Sequence, residues 1–119
     1  MPLPARRKPL RSGIARAPER SFPQHMAWVR GHECAIVGKG EHVCSGRIEA
    51  AHVRIGTGGG TGLKPSDVHT IPLCSEAHRL QHQIGEAAFD LRFGIKMREI
   101  AEGLARISPH RHRWMEEGR

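Results

Sequence analysis

From Gln24 onward the apolar positions fall into short runs punctuated by glycine and proline, and the spacing within each run predicts its element. His25 to Arg30 (HMAWVR) predicts a short helix anchored by Trp28 and Val29 and ended by Gly31. Cys34 to Val37 and Arg47 to Val53 are β-compatible runs separated by Gly38, Gly40 and Gly46, which predicts two antiparallel strands joined by a turn containing Cys44. Alternation then places Ile48, Ala50 and His52 on one face, with Glu49 facing away from His52. Gly56 to Gly62 (GTGGGTG) reads as a loop. Ser75 is the expected N-cap of a helix from Glu76 to about Ile84, broken by Gly85. Helices over Glu86 to Phe93 and Lys96 to Ile107 follow. The second carries Ile100, Leu104 and Ile107 at spacings of four and three and stops at Ser108-Pro109. This alternation of short strands and helices predicts a small α+β domain.

The flanks behave differently. Residues 1–23 hold five prolines among basic residues and no sustained apolar period, which predicts a disordered arm. The domain is expected over residues 24–108, followed by a basic tail over residues 109–119 in which Arg111 and Arg113 are further candidates for phosphate contact. Residues 1–30 contain Arg6, Arg7, Lys8, Arg11, Arg16, Arg20 and Arg30 against Glu19 alone, and the whole chain has a net charge of +7. Such an arm attracts phosphate, and the counterions it releases make binding weaken steeply with salt. An acidic lipid surface is the weaker rival, since the arm lacks the apolar face of an interfacial helix.

Composition limits what this domain can be. Only 4% of the 119 residues are aromatic and 38% are hydrophobic, so the core must be thin, and thin cores are commonly supported by a metal, disulfides or a partner. Three cysteines cannot all pair within one chain, and in a reducing compartment metal ligation is the commoner use. No run approaches the ~18 apolar residues of a membrane span, and the N-terminus has no apolar signal region. The protein is therefore expected to be soluble and intracellular.

Candidate chemistry concentrates between Ala50 and Phe89. His52 closes the second β-compatible run, Asp67 follows fifteen residues later, and His78 and His82 lie four apart on one face of the expected helix. Four-residue spacing brings helical Cβ atoms to roughly 5–6 Å, close enough to share one ion. An imidazole accepts a proton near neutral pH. The glycine-rich run is not a Walker-type phosphate loop, because Lys64 is followed by Pro65 rather than by a hydroxyl residue opening a helix.

Between Trp28 and Ile107 the pattern EAAHVR…GGTG.KPSD…IPLC…H…QH..GE..F resembles the HNH endonuclease superfamily, specifically its short phage- and prophage-associated members. The resemblance implies a β-β-α-metal core with extra C-terminal helices, and hydrolysis of DNA phosphodiester bonds. His52 then matches the general base, while His78 and His82 match the helical histidines holding a divalent cation (Mg2+, Mn2+ or Zn2+). Asp67 stands where asparagine is usual, and either binds the metal or braces the loop and orients His52. Arg54, Arg47, Lys64 and Arg79 are the expected phosphate contacts. The partner is DNA, held through its backbone because aromatic side chains for base stacking are scarce, and a homodimer would allow both strands to be cut.

Two departures qualify the match. The residue before the base is often a metal-binding Asp or His, but here it is Ala51, so either Asp67 fills the gap or His52 itself coordinates and His69 or a bound water does the base's work. Many relatives also bind a structural zinc through two Cys-x-x-Cys-like pairs, whereas here the partners of Cys34 and Cys74 are Val37 and Ala77. Cys44 supplies a third thiolate. His42, His32 or His78 could complete a Cys3His set, the competing view being a decayed site with small buried cysteines. The alternatives to a nuclease are a non-catalytic, metal-stabilised nucleic-acid-binding module and an interaction or packaging factor.

Overall fold

The computed structural model describes residues 21–55 and 66–115. Its elements, in chain order, are α1 (Pro23–Val29), β1 (Ile48–His52), β2 (Thr70–Cys74), α2 (Ser75–Ile84), α3 (Glu86–Phe93), α4 (Met97–Ile107) and a short α5 (His112–Met115). The architecture is α+β, with one two-stranded antiparallel sheet. None of these helices is long and apolar enough to cross a membrane.

The sheet is not the one expected. β1 pairs with β2, with Ile48 opposite Cys74, Ala50 opposite Pro72 and His52 opposite Thr70. Cys34 to Val37 forms consecutive turns instead, closed by Val37 N–H to Cys34 O and Lys39 N–H to Ile36 O, and meets the sheet through Ala35 N–H to Pro72 O at 2.7 Å. Cys34 to Val37 (CAIV) is the more uniformly apolar segment, yet Thr70 to Cys74 (TIPLC), with a threonine and a proline, is the one that pairs. Cys34 is drawn to the end of β2, where its Sγ accepts the Cys74 N–H.

A two-stranded sheet is marginal in water unless its faces are covered. Here α1, α2 and α4 all pack on β2, and every β2 residue is buried. The core joins Ala51, Val53, Ile71 and Leu73 of the hairpin to Ala77 of α2, Phe89 and Phe93 of α3, and Met97 and Ala101 of α4. Burying apolar area at ~25 cal/mol per Å2 is the main favourable term for such a domain. Phe89 is the largest of its fully buried side chains.

The helix boundaries follow the expected ones closely. α2 ends at Gly85, whose φ of 90° lets the chain turn straight into α3. Its cap is Cys74, whose side chain accepts the Ala77 N–H, rather than Ser75. Ser75 is used differently, its single hydroxyl proton shared between Arg47 O at 3.2 Å and the Glu49 carboxylate at 3.0 Å. This close approach requires glycine at position 46, where a Cβ would lie 2.7 Å from that of Ser75. Folded structure also starts earlier than Gln24, since Phe22 is buried and Pro23 opens α1. The remainder of the arm, the glycine-rich loop with Lys64, and the last four residues lie outside the described residues.

Candidate metal centre and histidine cavity

Two groups of metal-capable side chains stand at opposite ends of α2. At its N-terminal end, the turns after Cys34 bring Cys34, His42 and Cys44 to the cap residue Cys74, and the four donor atoms lie within 4.8 Å of one another. A tetrahedral zinc with Zn–S bonds of about 2.3 Å would set donor separations near ~3.8 Å, so a small contraction closes the shell. This Cys3His cluster could hold a metal ion such as zinc, and of the three histidines considered, His42 is the one present.

The electrostatics of the cluster are those of crowded thiols. Burial pushes the Cys74 thiol up, but the Ser45 and Ala77 backbone N–H groups, His42 and Cys34 outweigh it and hold the group at about 7. Cys44 is pushed up to about 12, by removal of water from its sulfur and then by Cys34 and Cys74, although the residue as a whole is exposed. Three thiols this close cannot all ionise unless a cation joins them. His42 Nε2 sits 3.4 Å from Cys74 Sγ, and its ring meets Phe93 edge-on at 6.0 Å.

At the other end, His52, Arg54, His78, Gln81, His82, Gly85 and Glu86 line a cavity of about 430 Å3. The strand end supplies His52 and the helix face supplies His78 and His82, whose rings are 4.9 Å apart. Two of the three imidazoles have a carboxylate behind them. His52 Nε2 is 2.8 Å from Asp67 Oδ1, and His78 Nδ1 is 2.7 Å from Glu49 Oε1. Carboxylates only accept, so the bonded ring nitrogens are the donors, leaving the lone pair of His52 on Nδ1 and that of His78 on Nε2. The hydrogen bonds from His78 and Ser75 hold Glu49 below the usual carboxylate range.

Glu49, expected to face away from His52, nonetheless bonds to His78, the ring that lines the cavity together with His52. Both oxygens of Asp67 accept a hydrogen bond, Oδ1 from His52 and Oδ2 from the Phe22 N–H at 2.9 Å. It does not line the cavity. Among the described residues, His52, Asp67, His78 and His82 form no group of three donors within 4.8 Å, in contrast to the Cys3His set.

Sequence reasoning missed Glu86. Its carboxylate accepts the N–H groups of Arg54 and Ile55 at 2.9–3.0 Å, fixing the exit of β1 beside the cavity. The only available signal was its place in the GE pair of the shared pattern. Gln81 was also missed; it donates to His52 O and to Met97 Sδ at 3.4 Å each. Of the expected phosphate contacts, Arg54 lines the cavity, Arg47 is exposed, and Arg79 pairs with Glu76 at 3.0 Å. His69 is half-buried with Nδ1 unpartnered, and burial pulls its imidazole below the usual range against the opposing pull of Glu102.

Comparison with curated proteins and with solved structures finds no match. A family model described as "Protein of unknown function (DUF968)" matches residues 15–107, most of the chain and all of both side-chain groups, and the protein belongs to that family.

Proposed function

We propose that the protein is a metal-dependent endonuclease of the HNH type that hydrolyses DNA phosphodiester bonds. The supporting observation is that His52, braced by Asp67, opens on the same cavity as the His78–His82 pair. In this reading Asp67 fixes the tautomer, His52 Nδ1 takes the proton from water, the resulting hydroxide attacks phosphorus, and the 3′-oxygen leaves. His78 Nε2, oriented by Glu49, and His82 are the residues that would hold a divalent cation, whose contribution when bound is to screen the phosphoryl and leaving oxygens. Arg54 holds a flanking phosphate, and the basic arm adds sequence-independent attraction. The β1–β2 hairpin and α2 then correspond to the β-β-α unit, with zinc in the Cys3His cluster tying the turns after Cys34 to the helix cap.

Plasmid nicking with added Mg2+ or Mn2+ tests this against His52→Ala. The variant is expected to lose about 10^2- to 10^4-fold in rate, the usual contribution of a general base, with bound zinc and melting temperature unchanged. Nicking that survives in full in a folded His52→Ala protein removes His52 from the mechanism.

One observation favours a second reading, a non-catalytic nucleic-acid-binding module stabilised by metal. The histidines of the cavity do not gather as the Cys3His donors do. That reading expects DNA binding and one zinc per chain, but no nicking with any divalent ion.

A further inference from the structure

The C-terminal segment beyond Ile107 lies outside the family match, yet it is packed against the support of His52. Asp67 Oδ2 is held by the N–H of Phe22. The Phe22 ring meets Trp114 of α5 edge-on, with centroids 5.2 Å apart and planes at 70°. Trp114 also meets the buried His25 ring at 4.9 Å and 74°. His25 Nδ1 in turn shares a 2.9 Å hydrogen bond with Ser108 Oγ, the buried residue that ends α4.

Two further bonds tie the segment to its own start, and a third reaches α1. Arg111 Nη1 donates to Ser108 O at 2.7 Å, His110 N–H donates to Ser108 Oγ at 3.1 Å, and Arg113 Nη1 donates to Gln24 Oε1 at 3.3 Å. Trp114 is thus the point where the end of the chain presses on the residue that fixes Asp67. In an edge-on pair the positive rim of one ring meets the negative face of the other, which favours one orientation of Phe22 over several.

We propose that Trp114, acting through Phe22, is a positioning residue for the Asp67–His52 couple. Loss of the Trp114 ring frees Phe22, the Phe22 N–H no longer holds Asp67 Oδ2, and the His52 ring loses its single orientation. The consequence for catalysis rests on the reading of His52 as a base, but the positioning itself does not.

The test therefore has an arm that needs no activity. In the full chain, zinc-loaded and labelled at histidine, nuclear magnetic resonance reads the His52 tautomer and the exchange of its Nε2–H proton with water. Trp114→Ala is expected to speed that exchange about 10-fold or more and to mix the tautomers, and Trp114→Phe is expected to restore the wild-type signal. An unchanged His52 signal in Trp114→Ala overturns the proposal. If Trp114→Ala loses its zinc and its melting transition, Phe22→Leu, which keeps the N–H and removes the ring, decides by the same signal. In nicking assays, displacement of the base predicts a kcat reduced about 10- to 100-fold, with KM unchanged and no additional loss when Trp114→Ala is combined with Asp67→Ala. An additive double variant contradicts positioning through Asp67. A wild-type protein that never nicks defeats the nuclease reading and leaves the resonance result to decide this one.

Discussion

The Cys3His cluster and the histidine cavity are both attached to α2, but they are organised differently. The cluster brings four donors from three separated stretches of chain to within 4.8 Å of one another, with no carboxylate among them. In the cavity, His52 and His78 each lean on a carboxylate, and the paired rings of His78 and His82 remain 4.9 Å apart. A closed set of thiolates suits an ion that stays and supports the fold. An open set of imidazoles fixed from behind suits an ion that is exchangeable and shared with a substrate.

The largest difference is expected on removing one side chain from each group. Cys74→Ser takes away a thiolate donor while keeping a side chain that can cap α2, so it should abolish stoichiometric zinc and, through the lost metal, destabilise the domain by about 3 kcal/mol or more. Metal analysis and a thermal melt check this. His52→Ala should leave both readings at wild-type values while lowering nicking. If the two variants are equally unstable, the division of labour between the ends of α2 is wrong.

Glu49→Gln probes the support of the cavity alone. A glutamine keeps a hydrogen bond to His78 but removes the charge that fixes its tautomer, and such a change behind a ligand typically costs 10- to 100-fold in metal affinity. A Mn2+ titration followed by nicking should shift to higher concentration by roughly that factor. The zinc content should stay constant.

The smallest effect concerns pH. Burial, opposed by the Val68 carbonyl, pulls the His25 imidazole below its usual range, and burial does the same to His69. A histidine with a depressed folded pKa binds fewer protons in the folded state than in the unfolded state. Its contribution is complete above the unfolded value of about 6.5 and is lost as pH falls through the folded one. Melting temperature should therefore decline below about pH 6.5. His25→Gln should flatten the decline, whereas an equal slope in both proteins would show that other groups carry it.

What the sequence revealed depended on the range of the interaction. The boundaries of α3 and the end of α2 were legible because Gly85 and Gly94 stop each helix locally. The partner of β1 was not, since Cys34 to Val37 is nearer in sequence and more uniformly apolar than Thr70 to Cys74, and the pairing that forms is the long-range one. Asp67 and His52 were recognisable as members of one pattern, but that Asp67 is held by Phe22, forty-five residues away, had no local signal. The same holds for Glu49 with His78 and Glu86 with Arg54. His42 was one of three candidates for the fourth donor, and only the turns after Cys34 separate it from His32 and His78.

The central claim is that one end of α2 holds a permanent ion and the other works with an exchangeable one. The direct measurement is to strip loosely bound metal from the full chain by brief chelation, count the zinc that remains, and titrate Mg2+ or Mn2+ while following plasmid nicking in the same sample. The account predicts one retained zinc per chain, no nicking before the titration, and nicking that rises and saturates as the second ion is added. One retained zinc with no nicking at any concentration of either ion would contradict it, as would nicking that needs no added metal.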